Sequence, residues 1–342
     1  MPPRPCPDSR AHPPSPGNPG PHPTGLTRIR RATVPALVLL VGAAVAAGEV
    51  PATAAAVPAQ STLAAESETS PARAARKPRI HFGAAGEVFE LRNRTNSRLA
   101  RHTYASFTSR VPAGRMITVG ADQRWSEVAR MRRGSSLYRD VVRWARVLKN
   151  RPRITLLAYS HEPEVGHNAG KGSPADFKRA FRKVVTVFRS QDVRNVRYTW
   201  QMTAWAFRTS PSDRIWAPKW YPGNRYVHIV GADAYNWNTC GEGRDRWQQL
   251  GALIQPMLGF ARRHNKRAAL AEFASNAGPR RAGWLARAHN FMQDRRPMIA
   301  AAFYFNRPPT NRANSDCRWK LNTRSEIRAY RAIARDRRDF RT

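Results

Sequence analysis

The sequence predicts a (β/α)8 barrel, an α/β fold of the TIM type, over residues 80–342. From Ile80 onward, short apolar runs alternate with amphipathic stretches, the pattern of strands buried on both faces and of helices that cover them. Eight such runs fall within 263 residues, and a barrel of eight strand–helix units takes about 250. An open doubly wound sheet is disfavoured, because no glycine-rich phosphate loop follows the first run.

Ahead of the barrel, residues 1–59 read as a proline-rich N-terminus followed by a signal peptide. Residues 1–27 are too dense in Pro and Gly to hold a helix or a ladder. Arg28, Arg30 and Arg31 then precede an apolar run of 14 residues, 34–47, broken by Pro35 and Gly42. A membrane-spanning helix needs about 20 apolar residues, so the run suits the core of a secretory signal, with Ala54-Ala55-Ala56 or Val57-Pro58-Ala59 as cleavage sites. The expected location is extracellular, with an uncleaved N-terminal anchor as the alternative. Residues 60–79 read as a flexible linker.

The eight candidate strands are 80–83, 100–107, 116–119, 154–159, 196–200, 226–230, 267–271 and 298–305. Between them lie helices with recognisable starts. Ser173-Pro174-Ala175-Asp176 offers a capping serine, a proline at the first helical position and an acid in the first turn, after which Phe177, Ala180, Phe181, Val184 and Phe188 share one face. Leu137, Val141, Trp144, Ala145 and Leu148 form another stripe. Thr323-Arg324-Ser325-Glu326 is a capping box ahead of Ile327, Tyr330 and Ile333. Residues 247–264 are also periodic, and Pro256 is expected to kink or split them.

Formal net charge is +36. Such a field attracts polyanions, an anionic cell-wall polymer among them, although a solvated surface and a compositional bias towards Arg suffice to account for the charge. No specific nucleic-acid partner is expected, because the basic residues are spread over helix faces, as at Arg179, Arg182, Lys183 and Arg189, and no nucleic-acid-binding motif accompanies them. Cys6 belongs to the leader. Cys240 and Cys317 are the disulfide candidate of an exported chain, and neither has ligand spacing for a metal. No cofactor or metal is expected, and the chain is expected to be a monomer.

Two carboxylates stand where apolar runs end. Glu162 follows the run 154–159, and Glu272 follows 267–271, 110 residues later. In a parallel barrel all strand C-termini open on one face, so the two acids can meet there. A carboxylic acid facing a carboxylate is the equipment of a glycosidase: one protonates the leaving oxygen, the other attacks or activates water. Glu164 shares a direction with Glu162 on an extended segment and is expected to bind substrate or hold a loop. Flat aromatic faces stack on sugar rings, which makes Trp205 and Trp237 the candidates among the tryptophans at strands five and six, with Trp200 and Trp220 left to the core. His102 in the second strand, and Asn306 with Arg307 at the end of the eighth, are weaker candidates for sugar contacts.

His161-Glu162, Ala271-Glu272 and the stretch Tyr221-Pro222-Gly223-Asn224-Arg225-Tyr226-Val227-His228-Ile229-Val230-Gly231-Ala232-Asp233-Ala234-Tyr235 resemble glycoside hydrolase family 26, the β-mannanase family. The resemblance covers roughly residues 80–338. It implies a barrel with the acid/base after strand four and the nucleophile after strand seven. Glu162 is then the acid/base with His161 beside it, and Glu272 the nucleophile. Asp233 and Tyr235 fall in an Asp-x-Tyr motif whose tyrosine hydrogen-bonds the nucleophile. The family retains anomeric configuration, which implies carboxyl groups about 5–5.5 Å apart and a covalent glycosyl intermediate. The expected function is endo-acting hydrolysis of a β-linked polysaccharide, mannan or a related β-glycan. The alternatives are a β-glucanase or β-xylanase of the same clan, and a non-catalytic barrel that binds carbohydrate or cell wall.

Overall fold

The computed structural model describes residues 78–308 and 315–342. The expectations for residues 1–59, and for the linker up to residue 77, lie outside the described residues. Eight parallel strands form the barrel: β1 (Ile80–Gly86), β2 (Ala100–Ser106), β3 (Met116–Gly120), β4 (Thr155–Tyr159), β5 (Val196–Thr203), β6 (Ile229–Asn236), β7 (Arg267–Ser275) and β8 (Ile299–Asn306). Each pairs with the next, and β1 pairs with both β2 and β8, so the sheet closes. A short β9 (Phe340–Arg341) adds to β1 at Ile80. Closure brings β1 and β2 close together. A side chain at Gly83 would put its Cβ 1.7 Å from the carbonyl oxygen of Ala100, so this position has room only for hydrogen.

The outer layer consists of α1 (Val88–Thr95), α2 (Trp125–Ala129), α3 (Ser136–Lys149), α4 (Pro174–Ser190), α5 (Ala217–Trp220), α6 (Leu250–Arg263), α7 (Arg281–Asp294) and α8 (Arg324–Arg335). Local chemistry sets their starts. Ser173 accepts from the Asp176 amide while Asp176 accepts from the Ser173 amide, and Thr323 and Glu326 repeat this exchange at α8. α6 starts at Leu250 rather than 247, and ahead of it the Gln248 amide donates to Asn236 Oδ1. It also continues through Pro256, contrary to the expected split. The Ala252 carbonyl, which lacks its usual donor there, lies on the solvent side of the helix and can tilt towards water.

Strand alternation divides the core in two. On β4, Leu157 and Tyr159 face the helices, whereas Leu156 and Ala158 face the barrel axis. The axial cluster is small and alanine-rich, with Ala100, Ala158, Ala269, Ala271 and Ala301 around Met116 and Phe303. The strands that bear the polar residues run longer than their apolar runs. β6 begins at Ile229, after a turn in which the Tyr226 amide donates to Gly223, and continues to Asn236; β7 continues to Ser275. Asp233, Tyr235 and Glu272 therefore lie within strands, not in loops beyond them. At the barrel mouth, inward positions are polar, so an apolar criterion stops too early.

Two ties hold residues 315–323, just ahead of α8. Cys240 and Cys317 are joined by a disulfide. Arg281, fully buried at the start of α7, donates to Glu326 at 2.8 Å and to the carbonyls of Arg318 and Lys320. Removing the charge of one partner strands the other in a dry interior. Glu326→Gln preserves shape but leaves Arg281 uncompensated, and should cost about 3–5 kcal/mol, roughly 10 °C in Tm. An unchanged thermal transition would show that the pair is not needed.

Candidate active site

The site begins with an irregularity in β7. Leu270 pairs with Ala232 of β6, but the next pair is Glu272 with Asp233, so Ala271 is an extra residue on β7. The pairing with β8 shows the same surplus between Leu270 and Phe273. Plain alternation from Leu270, which faces the helices, would turn Glu272 outwards as well. The bulge turns it to the mouth instead. The carbonyl of Ala271 is taken by His102 on β2, whose Nδ1 lies 2.9 Å away. A carbonyl can only accept, so Nδ1 carries the proton, and Nε2 sits 2.8 Å from the Thr118 hydroxyl.

Glu272 is gripped by two phenols. Tyr235 on β6 donates to Oε2 and Tyr104 on β2 donates to Oε1. Tyr104 also stacks near His102, with ring centroids 4.5 Å apart.

Glu162 lies in the turn after β4, half-buried. Ser160 and Glu162 both adopt left-handed backbone, at φ 50° and 44°. The Ser160 amide donates to the Val119 carbonyl, the Glu162 amide donates to the Gln201 carbonyl at 3.0 Å, and Asn168 Nδ2 donates to the carbonyls of both His161 and Glu162. These ties repay the unfavourable backbone and aim the carboxyl. Glu164 takes the loop-holding role. It is fully buried, and its Oε1 accepts from the amide and hydroxyl of Thr203 at 2.7 Å each. Asp233 accepts from Gln201 Nε2 through both oxygens, at 2.9 and 2.8 Å.

These acids differ in how readily they ionise. Burial raises the Glu162 carboxyl well above the usual range, and repulsion from Glu272 and Glu164 raises it further. Asp233 is raised well above its usual range by burial and by the charges of Glu272 and Glu162. Burial also raises Glu272, but the Tyr104 and Tyr235 hydrogen bonds and the Arg307 charge work in the opposite direction. The arrangement therefore favours a proton on Glu162 and a negative charge on Glu272. His161 is held down to about 3 by burial, so its imidazole is neutral.

The structure thus brings Glu162, Glu272, Asp233, Tyr235 and His161 to one mouth, with Trp237 behind Tyr235 at 5.9 Å between centroids and Trp319 at 4.8 Å from Tyr235. Trp205, just past β5, is 52% exposed, with Arg246 over its ring, while Trp200 and Trp220 are in the core. Two expected sugar contacts are corrected. His102 is buried with both ring nitrogens engaged, so it pins the bulge rather than meeting a ligand. Asn306 is buried too, its amide committed to the Leu321 amide and the Glu87 carbonyl. Sequence reasoning passed over Tyr104, although Tyr104 lies two residues from His102 on one strand and so shares its face. It also passed over Gln201, His167, Asn168 and Trp319, which carry no pattern of their own.

A family model described as Glycosyl hydrolase family 26 matches residues 139–295. Endoglucanase H of Acetivibrio thermocellus is 26% identical over 172 residues, which is 49% of this chain but 18% of that protein. Over residues 139–295 the chain is similar to glycosyl hydrolase family 26. It spans less than a fifth of the curated relative it matches. Among solved family 26 structures, the catalytic domain of an endo-beta-1,4-mannanase from Bacillus sp. JAMB-750 superposes with a TM-score of 0.52 at 15% identity, covering 77% of this chain and 87% of that one. A family 26 beta-mannanase from Bacteroides ovatus gives 0.51 at 14%, covering 78% and 90%. At these identities the structures speak for the barrel alone.

Within this barrel, Glu164 gives a test of the buried charge. Burial raises it to about 7 from an ordinary value of 4.5, and its Oε2 has no partner among the described residues. A folded-state value above the unfolded one means that folding holds an extra proton between the two. Stability is therefore fully present below about pH 4.5 and declines as pH rises to about 7, by roughly 3 kcal/mol. Glu164→Gln keeps the acceptor for Thr203 without the charge. It should raise Tm at pH 8 and leave it unchanged at pH 4; equal melting curves of the two proteins at pH 8 would refute this.

Proposed function

We propose that this chain is a secreted glycoside hydrolase that cleaves a β-linked polysaccharide, mannan or a related β-glycan, internally and with retention of configuration. One observation carries the reading: Glu272 is clamped by two phenols while Glu162, at the same mouth, has its carboxyl pushed well above the usual range by burial and by the charge of Glu272. Tyr104 and Tyr235 keep Glu272 ionised and aimed at an anomeric carbon. As a Glu272 oxygen bonds to that carbon, the glycosidic C–O bond breaks and the leaving oxygen takes the proton of Glu162. The Glu162 carboxylate then removes a proton from water, which attacks the same carbon and releases Glu272. No electron leaves or enters, and Glu162 ends protonated as it began.

The activities for which the relatives are named, endoglucanase and endo-beta-1,4-mannanase, suggest a β-1,4-linked hexose chain cut internally. The exposed ring of Trp205 offers an apolar face for one of its sugars. The Cys240–Cys317 disulfide favours an oxidising, extracellular setting.

The decisive assay incubates the chain with β-mannans, mixed-linkage glucan, xylans and an anionic wall polysaccharide, and measures reducing ends. Activity on one polymer should fall by at least about 10³-fold in Glu272→Ala and Glu162→Ala. Silence on every polymer would favour a binding barrel instead. Tyr104→Phe and Tyr235→Phe each remove one hydrogen bond from a charged carboxylate, worth about 1.5–3 kcal/mol. Glu272 then ionises at higher pH. The acid limb of the kcat/KM profile should move up by about one pH unit, with a loss of about 10–100-fold at the optimum. An acid limb that stays in place would rule out this role for the phenols.

A further inference from the structure

The turn that presents Glu162 also gathers two imidazoles. On an extended segment His161 and Glu162 would point to opposite faces. The left-handed backbone at Ser160 and Glu162 turns them together, and the chain then folds back through a 3₁₀ turn, Gly166–Asn168, that carries His167. His161 and His167 lie with ring centroids 4.9 Å apart, and His167 Nδ1 is 3.9 Å from Glu162 Oε2. One ligating atom from each of His161, Glu162 and His167 lies within 4.8 Å of the others. The loop is not free to spread, because Asn168 ties its two ends together through the His161 and Glu162 carbonyls at 3.0 and 2.9 Å.

We propose that His161, Glu162 and His167 form a binding site for a divalent first-row transition ion, of which Zn²⁺ is the probe. Two imidazole nitrogens and one carboxylate oxygen are borderline donors that suit Zn²⁺ rather than Ca²⁺ or Mg²⁺, which take all-oxygen sets. Metal–nitrogen distances of about 2.0–2.1 Å are reached by modest side-chain rotation from the present separations. His167 stands at the solvent edge with nearly half of its side chain exposed, which gives the ion an entrance. Three protein ligands leave a fourth position for water. The ion binds the carboxylate form of Glu162, so the proton required for glycoside cleavage is displaced to solvent. On the reading that Glu162 is the acid, occupation of the site turns hydrolysis off, reversibly.

Calorimetric titration of the full chain with Zn²⁺ tests the site directly, beside His167→Gln, an exposed-loop change whose fold is checked by its thermal melt. One ion should bind per wild-type chain. His167→Gln should weaken it by more than the ~10–100-fold that loss of an outer-shell partner costs. Absence of binding, or equal affinity in the variant, would overturn the site. On a cleaved polymer, the ratio of rates without and with Zn²⁺ should be large for wild type, return to one on adding a chelator, and stay near one in His167→Gln. Undiminished hydrolysis by the zinc-loaded chain would overturn the inhibition. Lack of hydrolysis by the metal-free chain would instead count against the glycosidase reading, while the titration still decides the site.

Discussion

Everything at the mouth depends on the closure of a parallel sheet. Tyr104 and Glu272 are 168 residues apart, and they meet only because β1 pairs on one side with β8 and on the other with β2. Closure in turn depends on close backbone approach at Gly83 and on an axis filled with alanine, which lets β2 and β7 lie across a narrow interior. Within that frame the acids are differentiated by their neighbours. Glu272 receives two phenol hydrogen bonds, Asp233 receives an amide, and Glu162 receives burial and the repulsion of Glu272 and Glu164. A cluster of carboxyls in a half-dry cleft would otherwise share its protons without order.

Much of this was legible in the chain. Eight apolar runs marked eight strands, the Ser173 and Thr323 caps marked two helix starts, and the paired positions of Glu162 and Glu272 marked one face. Apolar runs failed where strands enter the polar mouth, so the strand ends at Asn236 and Ser275 were placed too early. Tyr104 was within reach: it alternates with His102 and needed only the observation that one face of β2 is polar. The bulge at Ala271 was not, since it exists only relative to the register of two neighbouring strands. His167 was likewise hidden, because its approach to Glu162 arises from left-handed backbone that Ser160 and Glu162 do not advertise.

The wall beside Tyr235 shows how remote ties support a site. Trp319 packs against Tyr235 and Trp237, and it arrives there on a segment fixed by the Cys240–Cys317 disulfide and by the contacts of Arg281 with the Arg318 and Lys320 carbonyls. The ion pair of Arg281 with Glu326 is buried, and it is tolerated because the remaining donors of Arg281 are satisfied by backbone oxygens. The side chain orients the segment more than it binds it.

The extra residue in β7 has an evolutionary corollary. Strand parity is binary, so loss of the single codon for Ala271 would set the carboxylate now at position 272 directly after the outward-facing Leu270 and leave it on the axial side, still opposite Asp233. The barrel would keep its strands and most of its core, yet His102 Nδ1 would lose the Ala271 carbonyl as its acceptor. The bulge thus lets the strand carry a surplus residue, and a second hold on β2 through its carbonyl, while the carboxylate keeps its direction.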